Sequence, residues 1–144
     1  MNFLELFDSR DKKKRLSHIR NLLALALADG SIDKSELDLI IRISVKSGLT
    51  PDEMNRILER PDSVKFYPPD NDSDRIEQLY DMVLVMMVDS ELHENEIALC
   101  KLTALRLGFK HQIIDRMVSD ITGIIMKGIA LEMALSELLK ISEE

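Results

Sequence analysis

Apolar residues recur along this chain at helical spacing, in blocks that stop and restart at polar punctuation. Leu16, Ile19, Leu22, Leu23, Ala26 and Leu27 share one face of a helix predicted over 16–28, and Leu25 widens that face. After a polar elbow, Leu37, Ile40, Ile41, Ser44 and Val45 mark a second helical face, closed by Gly48, a residue suited to the left-handed position just past a helix end. Thr50-Pro51-Asp52-Glu53 then opens a third helix: a threonine cap, proline in the first turn, and glutamate where a capping box needs it. Met54, Ile57 and Leu58 are its core side. Residues 59–73, with Pro61, Pro68 and Pro69, read as an irregular crossing. The pattern then returns as an apolar helix to Val88, an elbow, a helix to about Leu107, Gly108, and a helix with Ile113, Ile114, Met117, Val118 and Ile121 on one face. Gly123 and Gly128 predict a break before a last helix that turns Leu131, Ala134, Leu135, Leu138 and Leu139 inward. Near the start, residues 2–7 predict a short helix offering Phe3, Leu4, Leu6 and Phe7 for packing.

The two blocks are copies. Asp29 returns as Asp89, an offset of sixty (89 − 29 = 60), and 22–58 lies on 82–118 without a gap. Identity holds at Asp29/Asp89, Glu36/Glu96, Leu39/Leu99, Gly48/Gly108 and Arg56/Arg116. The expected architecture is all-α: a single domain over 1–144 of two pseudo-symmetric helical repeats, about 16–58 and 76–118, plus a C-terminal closing helix. Composition agrees, since 45% hydrophobic residues with no tryptophan and few glycines or prolines suits helices filled by Leu, Ile, Met and Ala. At 144 residues one substantial core fits comfortably and two do not. Met82, Met86, Met87 and Met117 read as core filling.

Charge narrows the class. A formal net charge of −7 argues against nucleic acid as a partner, because phosphate binding needs a basic surface. Arg10, Lys12, Lys13, Lys14, Arg15 and Arg20 cluster near the start and read as a solvated helix start or connector. The longest apolar runs, 22–28 and 82–88, hold seven residues each, against the ~20 of a membrane-spanning helix, so no membrane insertion is expected. No secretory signal is read at the N-terminus. A single cysteine, Cys100, forbids an intramolecular disulfide and favours a reducing compartment, with the cytoplasm as the expected location. Cys100 stands where the first copy has Ile40 and is expected to be a buried hydrophobe.

The chemistry sits at the elbows. Asp29-Gly30-Ser31-Ile32-Asp33-Lys34-Ser35-Glu36 reads like the second half of an EF-hand loop, yet Leu25 and Leu27 stand where the first two acids belong, as do Val85 and Met87 in the second copy. Each elbow is therefore half a site. Two readings follow. Asp33 with Glu36 has capping-box spacing, and carboxylates at a helix start stabilise it by ~0.3–1 kcal/mol with no ligand. Asp29 and Asp89 follow the negative ends of apolar helices, where an anion is disfavoured unless a cation or free N–H groups answer it. If the elbows converge, Asp29, Asp33, Glu36, Asp89, His93 and Glu96 surround one divalent cation: calcium, magnesium or manganese from the oxygens, with His93 admitting a transition metal. Asp70, Asp72 and Asp74 also mimic a calcium loop, but Arg75 occupies the glycine position, and Asp74 with Glu77 reads as helix capping instead.

Ala28-Asp29-Gly30-Ser31-Ile32-Asp33 with Glu36 and Gly48-Leu49, and the looser Asp89, Glu96 and Leu107-Gly108-Phe109, resemble the TerB-like family of tellurite-resistance proteins, a related domain of which occurs in membrane-anchored DnaJ-like co-chaperones. The resemblance spans about 16–121. It implies an all-helical fold of pseudo-symmetric repeats, acidic residues proposed to bind metal, and a place in stress-response assemblies without known catalysis. Ser90 in place of glycine and His93 opposite Asp33 depart from the stronger pattern.

Catalysis is not expected. No nucleophile–base pair is visible among three histidines and one cysteine, there is no glycine-rich phosphate loop, and none of His18, His93 or His111 has the glutamate three residues earlier that a di-iron bundle uses. Two functions remain in view: a cation-binding stress-response protein, or a metal-free interaction module presenting its acidic face to a protein partner.

Overall fold

The computed structural model describes residues 9–89 and 93–144; the short helix expected over 2–7, and the part of the second elbow at 90–92, lie outside the described residues. Seven α-helices follow in order among those residues: α1 (Arg10–Ala26), α2 (Lys34–Lys46), α3 (Pro51–Glu59), α4 (Asp72–Met87), α5 (Glu94–Leu107), α6 (His111–Met126) and α7 (Leu131–Ser142). The all-α reading holds, with no strand among the described residues. No helix of theirs is long and apolar enough to cross a membrane.

The duplication is visible in the element boundaries. Helix α5 starts sixty residues after α2 (94 − 34 = 60) and α6 sixty after α3 (111 − 51 = 60). The packing follows suit: α1 lies against α2, α3 and α5, its counterpart α4 against α5, α6 and α2, and α1 and α4 lie against each other. Exchanging the copies turns this set of contacts into itself. At the seam, Ile19, Leu22 and Leu25 of α1 and Ile76, Leu79, Met82, Val83 and Val85 of α4 are buried. Helix α7 closes the core against α4 and α6, burying Leu138 and Ile141.

Helix ends obey local chemistry. Ser9 caps α1 by accepting from the Lys12 N–H. Thr50 and Glu53 form the expected capping box on α3, each side chain accepting the other's backbone N–H at 3.1 and 2.9 Å. Gly48 and Gly108 both take positive φ, 84° and 114°, and the residue after each donates back to the helix, Leu49 to Ser44 and Phe109 to Ala104.

Several expected faces are rotated. Helix α2 buries the row Glu36, Ile40 and Ser44, while Ile41 and Val45 face solvent. Leu27, the C-cap of α1, and Leu58, in the last turn of α3, are placed on core faces by spacing but are exposed. The cap of α4 is Asn71, accepting from the Asp74 N–H, rather than the Asp74–Glu77 pair, since the helix starts earlier than expected. Gly123 lies inside α6, and the break falls at Gly128, where φ is 68°. The N-terminal cations are drawn into the fold: Arg10 and Lys14 pair with Asp70, Lys12 with Glu53, and Arg15 and Arg20 donate to the carbonyls of Ser47 and Pro61.

Candidate functional site

All six expected residues, Asp29, Asp33, Glu36, Asp89, His93 and Glu96, line one depression, joined by Ser31 and Ile32. The elbows thus lie on the same side of the molecule. The local sequence accounts for each placement. Asp29 and Asp89 follow the C-terminal ends of α1 and α4, neither of which carries a basic residue in its last turn; of the other helices only α6 shares that lack. Asp33 and His93 are the N-cap residues of α2 and α5, and Glu36 and Glu96 sit in the first turns of those helices.

Helix capping does not use up these groups. Unlike Thr50 on α3, neither Asp33 nor His93 makes a side-chain cap hydrogen bond. Asp33 Oδ2 instead accepts from the Ser35 hydroxyl at 2.9 Å. The backbone N–H of Asp33 serves Glu36, so half a capping box exists, and the other half is missing.

The two glutamates are the unexpected part. Glu36 is 3% exposed and Glu96 2%, and the Oε2 atom of each has no hydrogen-bond partner among the described residues. Buried carboxylate oxygens ordinarily find donors, because an unanswered one forfeits its hydration. Burial raises the Glu36 carboxyl above its ordinary value, and the negative charge of Asp89 adds to this, against the Asp33 N–H and a hydrogen bond from Glu96. Glu96 is pushed up to about 8, first by burial, then by the charges of Glu36 and Asp29.

The histidine sits among the acids. His93 Nδ1 lies 3.3 Å from Asp29 Oδ2, while Nε2 is 3.9 Å from Asp89 Oδ2 and 4.0 Å from Glu96 Oε1. Oxygen and imidazole donors at this density are what a divalent cation takes. The donors sort into two triads, Asp29 with His93 and Glu96, and Asp33 with Glu36 and Asp89, the ligand atoms of each lying within 4.8 Å of one another.

The burial of Glu36 and Glu96 was open to sequence reasoning through spacing: Glu36 precedes Ile40 and Ser44 by four and eight, and Glu96 precedes Cys100 and Ala104 likewise, so both stand on the inward row. A second cluster had no such signal. His18, 7% exposed, sets Nε2 2.8 Å from Asp81 Oδ2 in a cleft with Lys14, Arg15 and Glu77, its Nδ1 lacking a partner among the described residues. Among the described residues that line the cleft, the hydroxyl of Ser47 is engaged with the Ile43 carbonyl at 2.8 Å.

No family model, curated protein or solved structure gives a significant match to this chain.

Proposed function

We propose that this chain is a non-enzymatic divalent-cation-binding protein whose two elbows form one joint acidic site, with calcium, magnesium or manganese as the ion. The observation that carries the reading is the convergence of two buried, under-partnered glutamates with Asp29, Asp33, Asp89 and His93 in a single depression. Resemblance to the TerB-like family supports a role in stress response. The upward displacement of Glu96 favours a second reading, a metal-free module that binds a protein partner, because a carboxyl that keeps its proton needs no cation.

Melting curves separate the two. A cation bound only by the folded chain adds ~2.7 kcal/mol when free ion is a hundredfold above its dissociation constant. Asp29→Asn and Asp89→Asn together remove that gain, since each elbow then loses its leading aspartate. With chelator present, the same variants are neutral or slightly stabilised by relief of crowded charge. No shift in melting temperature with calcium, magnesium or manganese leaves the metal-free module.

A further inference from the structure

We infer that the joint site holds two divalent ions of different kinds, a hard cation on Asp33, Glu36 and Asp89 and a borderline transition ion on Asp29, His93 and Glu96. This rests on the cation-binding reading and specifies its stoichiometry and ligand class.

The donors divide into two sets of three, and each set has the span of one coordination sphere: with metal–oxygen bonds of ~2.0–2.5 Å, ligands on opposite sides of an ion are ~4–5 Å apart. Each set also contains one of the two buried glutamates whose Oε2 lacks a partner among the described residues, Glu36 in one and Glu96 in the other. The sets map onto each other under the sixty-residue offset. Asp29 becomes Asp89, and Asp33 and Glu36 become His93 and Glu96.

Charge points the same way. Five carboxylates around one dication leave three negative charges (5 − 2 = 3), whereas two dications leave one (5 − 4 = 1). The cavity, about 420 Å³, has room for two ions with their waters at ~30 Å³ per water.

The triads differ in one donor. Asp33 gives the first set three oxygens, which suits magnesium or calcium, while His93 gives the second an imidazole, which zinc and its neighbours prefer and magnesium does not. Neither triad belongs to one repeat: each takes its leading aspartate from one elbow and its other two donors from the other.

The test is native mass spectrometry of the full chain, stripped with chelator and then supplied with zinc chloride and magnesium chloride together. One zinc and one magnesium per chain are expected. His93→Ala should weaken zinc by ~10–100-fold or more, since even an outer partner of a metal ligand is worth that much, and leave magnesium in place. Asp33→Ala should do the reverse. Both positions are N-caps that make no side-chain cap hydrogen bond, so neither change removes one. In His93→Asp, which makes both triads all-oxygen, two magnesium ions should bind. A single ion per chain, lost equally in both alanine variants, overturns the two-ion inference and leaves the cation-binding function standing. No bound ion under any condition overturns both.

Discussion

Two carboxyl groups hidden from water, Glu36 on α2 and Glu96 on α5, bind protons more tightly in the folded chain than in the unfolded one. Glu96 moves from an ordinary value of 4.5 to about 8 on folding, and Glu36 moves in the same direction. The folded chain therefore holds protons that the unfolded chain has released. This contribution to stability is fully present below pH 4.5 and is lost as pH rises through about 8. Denaturant titrations in chelator should show stability falling across that window. Glu96→Gln should flatten the slope and raise stability at pH 9 by ~1–3 kcal/mol, the scale of a buried polar group's unmet desolvation. Stability that climbs between pH 5 and 8 would contradict the assignment. All six residues that line the depression were legible from the two elbows, with helix capping and cation binding both open as readings. The burial of Glu36 and Glu96 was not expected, because a glutamate on an inward row is costly to bury.

At the level of elements, the sequence located helices better than it oriented them. Thr50 and Glu53 announced α3 because their geometry is fixed by adjacent residues. Ile41, Val45 and Leu58 were misplaced because a helix face is chosen by its neighbours: α2 turns Glu36, Ile40 and Ser44 toward the core, and Ile41 lies about a hundred degrees round from that row. Helix ends give a sharper test. Gly108 has φ of 114°, and a Cβ there would come within 3.0 Å of Arg75 Nε, itself donating to the Leu107 carbonyl at 2.9 Å. Gly108→Ala should cost ~1–2 kcal/mol from the left-handed backbone alone. Gly123, inside α6 with nothing near its would-be Cβ, behaves oppositely, and Gly123→Ala should gain ~0.5–1 kcal/mol. Equal signs for the two in thermal melts would break the argument.

Across the whole molecule, the duplication was readable from an offset of sixty, and the meeting of the elbows was an expectation that the duplication alone does not force. Repeats can also stack side by side, which carries equivalent corners apart; here α1 and α4 pack on each other and bring the elbows to one side. The shared core predicts shared fate. Ile19 and its counterpart Leu79 are both 0% exposed, so Ile19→Ala and Leu79→Ala should each cost ~2–5 kcal/mol. Cys100, 1% exposed with its thiol pushed up to about 12 by burial, reports on the same event. A thiol reagent should label it slowly in the native protein, and faster in either variant by the factor that the lost stability sets. Rapid labelling of the native chain would show the second repeat opening by itself.

The interlacing of the triads bears on how such a molecule can arise. A lone unit of this kind, not joined to another, completes a triad only by pairing with a copy of itself, and two-fold symmetry then forces both triads to be identical. Any substitution at the position of Asp33 would appear in both at once. Fusing the two units into one chain releases that constraint, since each half then mutates separately. Aspartate at 33 and histidine at 93 are a difference that a homodimer has no means of keeping, and the linker at 60–71 is what makes it heritable.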